Sequence, residues 1–252
     1  MDQLNIKIFC WNSWFEAQNG KRYKKGVISR NLNYYLRAHS PDIIFINEVF
    51  FDKNNQSEVV NLLRKNNYQT NFSGVITTFE GETIGNVFAT KHKINSIKTV
   101  KLKTNRVPHI KWYKEFIPYF TEVDMQVKDQ DIKFIGIHLC VMLPRDWFVH
   151  IMHRLAFNKE LKKYPKDKIF IVGDFNELKL LHKIFNLSLG LKSQTGNFLN
   201  PTALISGKRR NIFWFNTDYV MWPRKPKVKL IDFRVLNNSK SDHRPILSEF
   251  RL

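Results

Sequence analysis

Cysteine is nearly missing from this chain: two residues in 252, Cys10 and Cys140. A disulfide framework is thereby excluded as the source of stability, and both thiols sit in apolar, strand-like runs, as buried free cysteines do. No apolar run approaches the roughly 18 residues that a membrane-spanning helix needs. The opening MDQLNIKIFCW has no basic n-region, apolar h-region or small-residue cleavage site, so no secretory signal is expected. Acidic residues are scarce as well: 22 Asp and Glu against 41 Lys and Arg, a formal charge of +19. A surplus of that size attracts polyanions over a long range, and the expected partner is nucleic acid or an anionic membrane surface. These absences fit a cytoplasmic or nucleic-acid-associated protein, or one exported by a signal-less route.

What is present is globular in composition, 43% hydrophobic and 25% charged, and long enough to bury a core without staples. No linker, repeat or low-complexity tract interrupts it, which predicts one compact α/β domain over residues 1–252. Strands are expected over Leu4 to Trp11, Asp42 to Val49, Tyr68 to Thr78, Ile84 to Thr90, Tyr119 to Val127, Ile132 to Cys140, Ile169 to Val172, Asp218 to Met221 and Ile246 to Phe250. Helices are expected from Gly26 to the Ser40-Pro41 stop, over Ser57 to Lys65, from about Phe148 to Lys163 and near Leu178 to Leu187. From Thr83 to Lys114 no acid occurs in 32 residues, against eight cations that include Arg106, interleaved with Trp112 and Tyr113. That mixture suits a polyanion-binding surface as well as a solvated face.

The chemistry gathers at strand ends. In the run Ile169-Phe170-Ile171-Val172-Gly173-Asp174-Phe175-Asn176-Glu177 a buried strand stops at glycine and is followed at once by a carboxylate and a carboxamide. Asn12, Glu48, His138, Asp218, and Asp242 with His243 occupy similar positions elsewhere. Converging acids repel one another, so such a set holds a cation or relays a proton. Oxygen donors with few sulfurs favour magnesium, manganese or calcium over zinc. The histidines suit proton transfer and phosphate charge, hence phosphoryl substrates. His150 and His153, three apart on a helix without a third ligand, read as surface or packing residues, and Ile212-Phe213-Trp214-Phe215 as a core strand or an apolar insertion loop.

Six segments in this order, CWNSW at 10–14, SPDIIFINEV at 40–49, GIHL at 136–139, IVGDFNE at 171–177, TDYV at 217–220 and SDHRPI at 241–246, resemble the endonuclease/exonuclease/phosphatase superfamily of DNase I-like fold. The resemblance implies an α/β/β/α four-layer sandwich of two mainly antiparallel sheets flanked by helices. It implies Glu48 as principal metal ligand with Asn12 and Asp242 close by, Mg²⁺ as cofactor with Mn²⁺ as substitute, and His243 as catalytic histidine oriented by Asp218. Asp174 would position or deprotonate the attacking water, and Asn176 and His138 would bind the scissile phosphate.

The position before the metal glutamate, commonly Gln in the family, is Asn47 here, similar to bacterial sphingomyelinases; no acid follows two residues after Asn12, which argues against abasic-site endonucleases. DNase I-like nucleases, tyrosyl-DNA phosphodiesterases, phosphoinositide phosphatases and sphingomyelinases remain. The charge favours a monomeric Mg²⁺-dependent nuclease on DNA, with Arg106, Arg145, Trp147, Lys208, Arg209 and Arg210 as substrate contacts. The alternative is a phospholipid hydrolase drawn to an anionic membrane. A catalytically dead binding module is disfavoured, because none of the seven acid, amide and histidine positions from Glu48 to His243 is lost to an aliphatic residue.

Overall fold

Along residues 6–11, Ile6, Ile8 and Cys10 point to one side and Phe9 and Trp11 to the other, and all five are buried. A strand with no wet face must lie inside a layered structure. The computed structural model describes residues 4–13, 26–78, 82–104, 113–116, 118–140, 146–187, 189–196, 202–206, 212–224, 228–237, 241 and 243–252.

Its elements in chain order are β1 (Asn5–Asn12), α1 (Val27–His39), β2 (Ile43–Phe51), α2 (Glu58–Lys65), β3 (Gln69–Thr78), β4 (Thr83–Thr90), β5 (Lys93–Lys101), β6 (Tyr113–Phe116), β7 (Tyr119–Val127) and β8 (Gln130–His138). They continue with α3 (Trp147–Leu161), β9 (Ile169–Asp174), α4 (Lys179–Asn186), β10 (Leu191–Gln194), β11 (Ala203–Ser206), β12 (Ile212–Phe215), β13 (Asp218–Pro223), β14 (Lys229–Val235) and β15 (Ile246–Arg251).

Seven strands form one sheet in the order β14-β15-β1-β2-β4-β3-β6, and six form the other in the order β10-β13-β9-β8-β7-β5. The pairs β1–β2 and β8–β9 are parallel and the other pairs within these sheets are antiparallel. Ile8, Cys10, Phe45 and Phe88 of the first sheet meet Phe134, Phe170, Val172 and Val220 of the second in the inter-sheet core. The first sheet's other face packs under α1 and α2 through Leu32, Leu36, Val60 and Leu63. The second sheet's other face is covered by Phe157 and Leu161 of α3. The expected four-layer sandwich is the observed one.

Differences from the sequence reading fall mainly at the margins. β5, β6, β10 and β14, none of them expected as separate strands, are the four edge strands. In β5 and β14 exposed and half-exposed positions alternate without a fully buried one, so neither carries the apolar run that marks a central strand. β2 runs two residues past Val49 and absorbs Glu48 in a bulge. Ile212–Phe215 is a strand, paired with β11 in a separate two-stranded sheet. Both cysteines are free and buried, and burial pushes the Cys140 thiol up to about 12.

The outer helices of the second sheet have an unusual interior. Glu177, just beyond β9, is fully enclosed, and Arg154 of α3 donates from Nε to both its oxygens at 3.2 and 3.3 Å. The same guanidinium donates to Asn158 and to Asn186 of α4. His182 of α4 donates from Nδ1 to Glu177 Oε1 (2.6 Å) and stacks on Tyr219 at 3.6 Å, while His150 Nε2 lies 3.7 Å from the other carboxylate oxygen. His150 and His153 are therefore interior packing residues, and the surface half of the reading fails. Burial by itself would raise the Glu177 carboxyl; the two histidine rings and the guanidinium reverse it, from 4.5 to about 2. Burial lowers His182 below 6.5.

Two stability predictions follow from these contacts. A Cβ at Gly136 would stand 2.1 Å from the ring of the enclosed Phe45, so Gly136→Ala should cost about 2–3 kcal/mol in denaturant unfolding. Combined with Phe45→Ala it should cost clearly less than the sum of the two single variants. Because Glu177 is depressed in the fold, the stability it contributes is complete above about pH 4.5 and lost as pH falls towards 2; protonation of His182 adds a loss starting below about pH 6.5. Unfolding midpoints measured against pH should fall through these windows, and Glu177→Gln should flatten the lower one while lowering stability at neutral pH by about 3–5 kcal/mol.

Candidate active site

Parallel neighbours finish at one edge of a sheet, and each sheet has one such pair. Asn12 lies opposite Asn47 at the end of β1 and β2; His138 lies opposite Asp174 at the end of β8 and β9. With the sheets face to face, these ends form one site. Asp218 opens β13 rather than closing it, and the antiparallel pairing with β9 sets it directly beside Asp174. His243 lies on the approach to β15, which runs antiparallel to β1 and so begins at the same edge.

Two backbone features aim the side chains. Gly173 has φ +147, and a Cβ there would stand 1.8 Å from the Ile137 carbonyl oxygen, so only glycine lets β9 approach β8 this closely one residue before Asp174. Glu48 has φ 56, within the bulge between Ile46 and Val49 that turns it out of the sheet's alternation. The Ser13 hydroxyl, 3.0 and 3.1 Å from the carbonyls of Asn47 and Glu48, holds that bulge.

The side chains then interlock. Asn12 donates from Nδ2 to Glu48 Oε1 (3.1 Å) and to Asp174 Oδ2 (2.9 Å), joining a carboxylate from each sheet. Asp174 is fully buried; its Oδ1 accepts from the Asn176 N–H (2.8 Å), and its own N–H donates to Asn47 Oδ1 (3.2 Å). Asn176, at φ 50, donates from Nδ2 to the Leu139 carbonyl at 2.8 Å, tying the loop after β9 to the end of β8. His243 donates from Nδ1 to Asp218 Oδ2 at 2.8 Å, which fixes the ring and leaves Nε2 3.7 Å from Asp174 Oδ2. Burial pushes the Asp218 carboxyl above its usual 3.8 and the Asp174 charge adds to that, against the pull of His243. His138 Nε2 lies 3.3 Å from Glu48 Oε1.

Asn12, Glu48, His138, Asp174, Asn176, Asp218 and His243 are thus brought together. Asp242, Arg106, Arg145, Lys208, Arg209 and Arg210 lie outside the described residues, and Trp147 is the exposed first residue of α3. Donor atoms of Asp174, Asp218 and His243 lie within 4.8 Å of one another, a grouping other than the expected metal set of Glu48, Asn12 and Asp242. The His243 Nδ1–H is already committed to Asp218, which suits proton relay. Glu48, by contrast, keeps its side chain partly open to water, and with the Asn12 carboxamide it offers hard oxygen donors that fit a divalent cation such as Mg²⁺ or Mn²⁺.

Sequence reasoning passed over three positioning groups. Asn47 reads only as the residue before Glu48, yet its Nδ2 donates to Asn86 (2.9 Å) and lies 3.4 Å from the Ile137 carbonyl, while its Oδ1 receives Asp174. The Thr202 hydroxyl accepts from the N–H groups of Thr217 and Asp218, and Ser241 Oγ links the Asn12 carbonyl to the His243 N–H. Asn47 and Ser241 each had a local signal, a place beside a site carboxylate, Glu48 and Asp242, and Thr202 had none.

The endonuclease/exonuclease/phosphatase family profile matches residues 10–243. No curated protein sequence matches the chain. Among solved structures, an endonuclease/exonuclease/phosphatase from Beutenbergia cavernae superposes with a TM-score of 0.74 at 18% identity, covering 98% of this chain and 72% of that one. TDP2 of D. rerio, complexed with single-strand DNA product, gives 0.71 at 14% identity over 98% and 99% of the two chains. ANGEL2, a 2',3'-cyclic phosphatase, in complex with adenosine-2',3'-vanadate, gives 0.73 at 13% identity over 99% and 96%. At such identities the likeness carries the fold, while the profile match, which spans residues 10–243, carries the family: this chain belongs to the endonuclease/exonuclease/phosphatase family, whose members are hydrolases acting on phosphoester bonds.

Proposed function

We propose that the site hydrolyses phosphodiester bonds of DNA with Mg²⁺ as its cation. The observation that carries the hydrolytic reading is the interlock of Asn12, Glu48, Asp174, Asp218 and His243 at one sheet edge. Glu48 and the oxygen of the Asn12 carboxamide would hold the cation, which supplies positive charge against a phosphate oxygen when bound. Asp174 positions water for in-line attack and takes its proton as the new P–O bond forms and the bond to the leaving oxygen breaks. His243, fixed through Nδ1 by Asp218, presents Nε2 to the phosphoryl oxygens. His138 and Asn176 bind the scissile phosphate from the β8 side.

DNA is the favoured substrate because of charge. Lys91, Lys93, Lys98, Lys101 and Lys103 are all exposed on and around the edge strand β5, within a chain of net +19. TDP2, similar in fold, is solved with a single-strand DNA product. Arg106, Arg145, Trp147 and Lys208 to Arg210 remain the proposed substrate contacts, and the chain is proposed to act as a monomer.

The test is product release from plasmid DNA, sphingomyelin and a phosphoinositide in parallel, with Mg²⁺ and with EDTA. Nicking should require Mg²⁺ and decline steeply as salt rises. His243→Ala and Asp174→Asn should lower it by roughly 10²–10⁴-fold while the chain remains folded at the assay temperature. Glu48→Gln should raise the Mg²⁺ concentration for half-maximal rate by more than the roughly tenfold that an indirect metal partner costs. Near-normal nicking by His243→Ala would overturn the assignment of the site; metal-dependent lipid turnover without nicking would replace DNA by a phospholipid.

A further inference from the structure

The two helices that cover the six-stranded sheet are built inside out. α4 turns His182 and Asn186 inward and sets Leu180 and Ile184 in the solvent, with Leu187 just beyond its end; Leu180 is 70% and Leu187 82% exposed. α3 buries His150, His153, Arg154 and Asn158 while Trp147, Phe148, Met152 and Leu155 face outward. The helices lie side by side, tied by Arg154 to Asn186 and by Asn158 to the Phe185 carbonyl, so the outward faces adjoin. Of the ten large apolar side chains exposed among the described residues, eight lie on these helices or next to their ends, Leu178 just before α4 included; the others are Tyr34 and Ile231. Large apolar side chains gathered in one place on the exterior of the described residues mark a contact site.

The rest of the face says what it contacts. Every exposed residue of α3 and α4 that is not apolar is lysine: Lys159, Lys179 and Lys183, continued by Lys162 and Lys163 after α3. The one acid within α3, Glu160, is buried and paired with Lys163, and α4 has none. Tryptophan, phenylalanine and leucine flanked by lysine, without exposed acids, is the composition of a surface that sinks its apolar side chains to the headgroup level and pairs its ammonium groups with lipid phosphates. A second copy of this chain, itself at +19, would bring lysine against lysine, whereas an anionic bilayer complements both parts of the face.

We propose that the outward face of α3 and α4 docks on an anionic phospholipid surface. Both helices begin at the sheet edge that carries the site: α3 is anchored there by His150 Nδ1, which donates to the Cys140 carbonyl at 2.8 Å, and α4 starts three residues after Asn176. Docking therefore holds the site's edge near the lipid, whichever phosphoester is cleaved there.

The experiment is co-sedimentation of the full chain with phosphatidylcholine vesicles made with or without phosphatidylserine. The protein should pellet with the phosphatidylserine vesicles, and His243→Ala should pellet equally, which separates docking from turnover. The exposed pair Leu180→Glu with Ile184→Glu should reduce partitioning by more than about tenfold at an unchanged melting temperature. Removing Lys179 or Lys183 as alanine should reduce it by roughly fivefold each. Ile231→Glu, exposed on the other sheet, should change nothing. No pelleting, or pelleting that the Leu180/Ile184 variant retains, would overturn the proposal; so would a dimer in sedimentation velocity that the same variant dissociates, because a second copy would then cover the face.

Discussion

The Asn47 side chain has no contact with water, so its donors and acceptor must be met by protein groups. They are met from both sheets: Asn86 beside it on β4, the Ile137 carbonyl on β8 and the Asp174 N–H on β9. One carboxamide thus fixes the separation and register of the two sheets at the edge where the functional groups sit. A shift of either sheet would leave buried polar atoms unpaired, at about 1–3 kcal/mol each. The apolar core between the sheets tolerates small displacements far better, since dispersion contacts are non-directional. Rigidity at the site therefore comes from the polar contacts, and bulk stability from the core beneath.

That rigidity matters because the site assembles groups that repel. Asp174 and Asp218 are cross-strand neighbours, both buried, and Glu48 is drawn towards the first by a shared amide. Such a cluster persists only where hydrogen-bond donors are held in place; Asn12, the Asn176 N–H and His243 are those donors. Gly173 adds the last constraint. With any side chain there, β9 would stand off β8, and Asp174 would move away from Asn12.

The sandwich and most of this site were legible in the sequence, because both are written in local signals. Central strands such as β2 and β9 are continuous apolar runs, and a polar residue at the end of such a run is conspicuous. Edge strands were not legible: β5 and β14 have no fully buried position and so no continuous apolar run to mark them. The bulge at Glu48 was also invisible, since nothing in Asn47-Glu48-Val49 forces a left-handed residue inside a strand. Bonds such as Thr202 to Asp218 or Ser241 to the Asn12 carbonyl join segments through the fold, and no spacing in the chain announces them.

α3 and α4 were found as helices, but their apolar spacing misstates which side is inside. In α4 the natural reading buries Leu180, Ile184 and Leu187, and the fold buries His182 and Asn186 instead. The reason lies one residue beyond Asn176. Glu177 is enclosed as the loop turns back under Tyr219, and an enclosed carboxylate is tolerable only with donors around it. Arg154, His182 and Asn186 are supplied by the two nearest helices, whose inner faces must then be polar. That requirement places no constraint on the outer faces, where any mixture of polar residues would serve a soluble surface. The combination found there, large apolar residues and lysine with no exposed acid, is a separate feature of the sequence and calls for a separate cause.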